Sequence, residues 1–191
     1  WSAASRGMSK RTGEIPLPVD STFGPIRPYW GDAKTLSELA EYWSTDVSTL
    51  SKWFGEAGLE SYVLWSVRQV AKAAQLGETA KNFKPNEINF EFDVVAMRGY
   101  QLFAISCANS KDKGTVKLKL TEAYVRSRQM GGDEARVAVV CRIPANDPQN
   151  YPRLIEQEMA EQLGVEGKIR VFGAEHIPTL QTHLQNWFIA K

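Results

Sequence analysis

The spacing of apolar side chains divides the chain into a helical first part and an alternating remainder. Leu36, Leu39, Ala40 and Trp43 stand at i, i+3, i+4 and i+7, which predicts a helix. Ser44-Thr45-Asp46 interrupts it, and Asp46 is a suitable N-cap for a second helix carrying Val47, Leu50, Trp53 and Phe54. Gly55 and Gly58 punctuate the chain, and from Leu59 a longer helix presents Leu59, Val63, Ser66, Val67, Val70, Ala71 and Ala74 on one face. After Gly77 the period drops to two. Ile88, Phe90, Phe92, Val94 and Ala96 alternate with Asn89, Glu91, Asp93 and Val95, as in a half-buried strand. Arg98-Gly99-Tyr100 reads as a turn into a second strand over 102–108, giving a hairpin.

The pattern then alternates between helix and strand. A helix over 115–130 places Val116, Leu120, Ala123, Tyr124 and Ser127 toward a core and stops at Gly131-Gly132. Strands over 136–143 and 168–172 and helices over 151–163 and 177–188 complete the chain. The apolar run Val137-Ala138-Val139-Val140 between two helices predicts an α/β fold with a mixed sheet covered on both faces. The prolines of Ile15-Pro16-Leu17-Pro18 and Gly24-Pro25-Ile26-Arg27-Pro28 make 1–33 an extended arm. The expected organisation is that arm, a helical hairpin over 34–57 and an α/β domain over 58–191.

Composition narrows the function classes only a little. The 191 residues are 43% hydrophobic and 24% charged with a net charge of +1, so no global basicity marks a nucleic-acid binder. No apolar run reaches the roughly 20 residues of a membrane span, and the opening residues from Trp1 to Gly7 lack a signal-peptide core. Cys107 and Cys141 lie in apolar runs with no histidine beside them, which predicts buried reduced thiols in a cytoplasmic protein. The start at Trp1 rather than Met leads us to expect further chain upstream.

Three stretches carry a family likeness: Gly58-Leu59-Glu60-Ser61-Tyr62-Val63, Phe92-Asp93-Val94-Val95-Ala96, and the helix from Leu120 leading into Ala135 and the following strand. Their order and spacing resemble the PD-(D/E)XK restriction-endonuclease-like superfamily. More narrowly, they resemble the nuclease half of CRISPR-associated antiviral-defence proteins that join such a domain to a CARF sensor of cyclic oligoadenylates. The resemblance spans about 58–140 and no CARF domain is recognisable, so it implies a sensor domain missing upstream. It also implies a homodimer and a nucleic-acid partner, and no membrane.

Phosphodiester cleavage in such a domain uses magnesium or manganese held by hard carboxylate oxygens. The family supplies one Asp from the first strand, an E-x-K pair from the next strand, and often a helix Glu. Asp93 matches the strand aspartate and Glu60 the helix glutamate, which makes them the candidate metal ligands. The E-x-K position reads Ser106-Cys107-Ala108, so a hydroxyl replaces the carboxylate and a methyl the lysine. The expectation is a degenerate site with no cofactor, in a domain kept for nucleic-acid binding or dimerisation. In the rescue reading Glu91, Lys117, Lys119 and Glu122 take over the missing roles and the enzyme is active. Against it, Lys119 with Glu122 reads first as an exposed helical pair, and Glu91 as a solvated strand residue.

A different class of function is suggested by 35–53, which resembles a helix-turn-helix with Ala40 at the helix contact and Ser44 where a turn glycine is usual. Ser48, Thr49 and Lys52 would then face the major groove. The segment is acidic, however, with Glu38, Glu41, Asp46 and Glu56 against Lys34 and Lys52, and phosphate neutralisation supplies most nonspecific affinity. A regulator in which this element binds DNA is therefore the alternative. The basic stretch lies later: Lys111, Lys113, Lys117, Lys119, Arg126 and Arg128 against Asp112 and Glu122, a candidate backbone-tracking patch. His176 and His183, seven apart on the expected last helix, have no ligand partners in sequence and read as packing or surface residues.

Overall fold

In a computed structural model of the chain, residues 31–52, 55, 58–86, 90–146 and 151–190 are described. The arm expected over 1–33 falls almost wholly outside them, as do Trp53, Phe54, Glu56 and Ile88. Two short helices, α1 (Leu36–Tyr42) and α2 (Val47–Lys52), precede a long one, α3 (Gly58–Val70). Five strands follow: β1 (Thr79–Phe83), β2 (Phe92–Arg98), β3 (Gln101–Ala108), β4 (Arg136–Cys141) and β5 (Ile169–Phe172). Helix α4 (Lys113–Gly131) joins β3 to β4, α5 (Pro152–Leu163) joins β4 to β5, and α6 (Leu180–Ile189) closes the chain.

The strands form one sheet in sequence order, with β1–β2 and β2–β3 antiparallel and β3–β4 and β4–β5 parallel. This is the mixed α/β sheet flanked by helices that the hydrophobic pattern predicts. Parallel neighbours require crossovers, and α4 and α5 supply them on one face. On the other face α3 and α6 pack together. Their Val63, Val67, Leu184 and Phe188 meet Val94, Phe103, Ile105, Cys107 and Val140. Under α4 and α5 lie Leu120, Ile155, Val137, Val139 and Cys141. Among the described residues no helix is long and apolar enough to cross a membrane.

The structure departs from the pattern in three places. Strand β1 has no apolar alternation because it is an edge strand, and its Asn82 adopts φ 53°. The strand expected from Ile88 begins only at Phe92. The final helix is broken: Ala174–Thr179 forms a 3₁₀ segment containing Pro178, which lacks the N–H a continuing helix would need, and α6 starts at Leu180. Asp112, four residues beyond β3, caps α4 by accepting from the Thr115 N–H at 2.7 Å and its hydroxyl at 2.8 Å.

Cys107 and Cys141 are both buried thiols outside any disulfide. They sit on adjacent strands but on opposite faces of the sheet, so they cannot bond to each other. Burial pushes the Cys141 thiol up to about 12, which keeps it protonated throughout the neutral range. Native protein should therefore leave Cys141 unmodified by a thiol reagent at pH 8 and release it only on unfolding; rapid modification of the folded protein, read by mass spectrometry, would contradict this packing.

Gly173, just after β5, has no room for a side chain. An added Cβ would lie 2.5 Å from the Ile143 carbonyl oxygen and 2.3 Å from the Pro152 ring. Gly173→Ala should destabilise the protein by roughly 1–3 kcal/mol, the usual cost of overpacking, seen as a lower urea midpoint at unchanged slope.

Candidate functional site

Asp93 and Ser106 face each other across β2 and β3. The strand register ends at the pair Val94 and Ile105, and Asp93 and Ser106 are the next residues beyond it. Since Val94 and Ile105 pack under α3 and α6, strand alternation turns Asp93 and Ser106 to the opposite face, toward α4. There the Ser106 hydroxyl donates to Asp93 Oδ2 at 3.0 Å and the Cys107 main-chain N–H donates to the same oxygen at 2.6 Å. From α4, Lys119 Nζ stands 3.8 Å from that oxygen. One carboxylate oxygen therefore faces a hydroxyl, an amide and an ammonium. The Asp93 side chain is 18% exposed and that of Lys119 32%, so the pair is partly screened and its attraction is modest.

A cleft of about 40 Å³ opens beside this cluster, with Glu91, Lys119, Glu122 and Arg126 on its walls. Arg126 bridges them: its guanidinium lies 3.7 Å from Glu122, donates at 3.5 Å to the Glu91 carbonyl and covers the Phe90 ring at 5.3 Å. Of the candidate residues, the structure thus brings together Asp93, Glu91, Ser106, Lys119 and Arg126, with Glu122.

Glu60 is not among the residues lining this cleft; it stands in the first turn of α3, the helix packed on the other face of the sheet. Ala108 shares the α4 face with Ser106 but is 2% exposed, packed beneath that helix with Val116 and Leu120, where a lysine would be buried. The nearby ammonium is that of Lys119, one turn further along the helix.

The fit of these groups to a divalent cation can be judged from the donors. Asp93 Oδ2 already accepts two hydrogen bonds and faces an ammonium, which repels a second cation from that side. Among the described residues, no three carboxylate, histidine or cysteine groups converge closely enough to share an ion. As arranged, that carboxylate oxygen is already engaged by the chain's own donors.

The basic stretch is partly committed elsewhere. Lys113 and Lys117 both reach Glu158 of α5, at 2.9 and 2.7 Å, and hold its carboxyl below the usual range. Lys111 is exposed in the loop before α4. In the first helices, Thr35 caps α1 reciprocally with Glu38. Ser44 adopts φ 52°, the conformation a turn glycine would provide, and Lys52 ends α2 exposed. Thr49 is engaged with Asp46, donating its N–H at 2.8 Å and its hydroxyl at 2.6 Å, which lowers the pKa of the aspartate.

Sequence reasoning missed a second concave region. His176 lies in the 3₁₀ segment rather than on α6 with His183, yet the two rings meet edge to face at 4.7 Å. They line a cavity of about 650 Å³ at the carboxyl ends of β4 and β5. Its other walls come from residues distant in sequence, which is why spacing alone could not reveal it.

No family model matches the chain, and no curated protein matches it. Among solved structures it is similar to the crystal structure of protein VC1899 from Vibrio cholerae, at 23% identity and a TM-score of 0.49. That match covers 68% of this chain and 33% of the other, so the likeness spans about a third of the larger protein.

The Asp93 cluster gives a direct stability test. Asp93→Ala removes the carboxylate that accepts from the Ser106 hydroxyl and the Cys107 N–H, a loss of about 1–3 kcal/mol. Asp93→Asn keeps an acceptor oxygen and should cost less, while Lys119→Met should cost under about 1 kcal/mol. Equal losses in all three variants, by urea denaturation, would show that the amide contact does not dominate.

Proposed function

We propose that the chain is a restriction-endonuclease-like domain, of the kind joined to sensors in CRISPR-associated defence proteins, whose cleavage centre has become an internally satisfied polar cluster. Its remaining role is to bind nucleic acid or to hold two copies together. The observation that supports this reading is the state of Asp93. The one strand carboxylate in the expected place is engaged by Ser106, Cys107 and Lys119, all of them this chain's own donors.

The chemistry follows from charge. A metal-dependent phosphodiesterase needs uncompensated carboxylate oxygens to gather a cation, and the cation then polarises phosphate and lowers the pKa of water. Here Ser106 supplies a donor where an acceptor is required, and Lys119 supplies the positive charge that the cation would bring. Each missing electrostatic group is worth about 2.7–4 kcal/mol in other enzymes, about two to three decades of rate.

A second reading has an observation of its own. Glu91, Glu122 and Lys119 share a cleft with Asp93, so the groups for a rearranged metal site are neighbours. In that reading Lys119 would swing from Asp93 toward substrate phosphate, and magnesium or manganese would be the cofactor. The helix-turn-helix alternative draws support from the left-handed Ser44. Against it, the exposed Thr49 has its hydroxyl tied to the acidic cap Asp46.

Cleavage assays separate these readings. With single-stranded DNA, duplex DNA and RNA, in magnesium or manganese, the unmodified protein should produce no cutting above background. Ser106→Glu, which restores a carboxylate beside Asp93, should introduce manganese binding measurable by calorimetry. Cutting by the unmodified protein that both Asp93→Ala and Lys119→Ala abolish would replace the inert reading with the rearranged one.

A further inference from the structure

The 3₁₀ segment that follows β5 is closed at its first turn by two reciprocal contacts. The His176 main-chain N–H donates to the Gly173 carbonyl at 3.0 Å, and the Gly173 N–H donates to His176 Nδ1, also at 3.0 Å. An imidazole nitrogen accepts a hydrogen bond only while it carries no proton. The second contact therefore needs a neutral ring with its hydrogen on Nε2.

The same nitrogen has a neighbour that needs the opposite. Glu175 Oε1 lies 3.0 Å from His176 Nδ1, and a carboxylate can only accept. One ring atom thus stands between a donor and an acceptor, and a single proton decides which of them it bonds. The His176 side chain is 27% exposed, so water can deliver that proton.

The surroundings favour the neutral ring. His176 packs edge to face on Phe172 at 5.9 Å and on His183 of α6 at 4.7 Å. Burial holds its pKa below the usual histidine value; Glu175 opposes this, while His183 and Arg170 of β5 reinforce it. From α5 and its cap, Tyr151, Arg153 and Glu156 line the same cavity, and Glu156 is paired with Arg170 at 2.9 Å. Gly173 itself is buried, so an amide released there loses its partner away from water until the turn opens.

We propose that His176 is a proton switch for the segment walling the cavity at the carboxyl ends of β4 and β5. Unprotonated, Nδ1 holds the Gly173 N–H and the turn is closed. Protonated, Nδ1–H donates to Glu175, the Gly173 amide is released and this wall loosens. The folded-state pKa lies below the unfolded value of about 6.5. The stabilisation is therefore complete above that value and is lost as pH falls through the folded pKa.

The experiment is a pH titration of the full chain by ¹H–¹⁵N NMR, reading the His176 ring nitrogens together with the exchange protection of the Gly173 amide. Above neutral pH the ring should be the Nε2–H form, and its midpoint should lie below about 6.5. Protection of the Gly173 amide should fall about tenfold through that same midpoint, a hydrogen bond's worth. His176→Gln keeps an acceptor that does not titrate, so its Gly173 protection should persist into acid. Glu175→Gln removes the carboxylate that draws the proton, which should move the His176 midpoint to lower pH. The proposal is overturned if the neutral ring carries its hydrogen on Nδ1, if Gly173 protection is unchanged through the His176 midpoint, or if His176→Gln loses protection in acid as the unmodified protein does. None of these outcomes bears on the state of Asp93, whose partners lie on β3 and α4.

Discussion

The pairing of β3 with β4 is the constraint on which the rest of this molecule depends. From Leu102 to Ala108 and from Val137 to Cys141 every residue is buried. Two adjacent parallel strands buried on both faces can exist only with helices above and below them. That requirement sets the three layers, fixes α4 and α5 on one side, and leaves α3 and α6 to cover the other. It also decides which polar groups can be near one another. Ser106 is the polar residue that β3 turns toward α4, and the edge of the helix layer is where it can find Asp93 and Lys119.

The buried strands and long helices were legible because their side chains repeat with period two or 3.6: the core residues named from that pattern in α4 and β4 are buried, as are Val63, Ser66, Val67 and Val70 of α3, while Leu59 and Ala71 are only partly so. Strand β1 was not legible, since Thr79-Ala80-Lys81-Asn82-Phe83 lies at an edge and needs no apolar face. The break before α6 required weighing Pro178 against a continuous apolar pattern, and local backbone chemistry prevails there.

For the candidate site, residues close in sequence or paired by the hairpin were readable: alternation alone puts Asp93 and Ser106 on one face. What alternation could not supply was the identity of that face. Glu60 shares a motif with Asp93 in linear order but is a layer away, because the motif specifies positions along elements and not the side of the sheet each helix covers. Lys119 was a candidate only as a displaced group, and the pitch of α4 brings it over β2. The His176 and His183 pair was invisible for the opposite reason: helical spacing was assumed across a segment that winds as 3₁₀.

The sheet is half antiparallel and half parallel, and the two halves differ in how far apart their partners are along the chain. Strands β2 and β3 meet across a turn at Gly99-Tyr100, while β4 reaches β3 only after the whole of α4, and β5 reaches β4 only after α5. Closing a long loop costs more entropy than closing a short one, and contacts distant in sequence form late. Contact separation alone therefore favours one order of assembly. The β2–β3 hairpin can form first, as a template with a free edge along β3, and the buried parallel strands dock onto that edge as each crossover helix brings them back. The carboxylate of Asp93, gripping the amide of Cys107, secures the end of that template away from its turn.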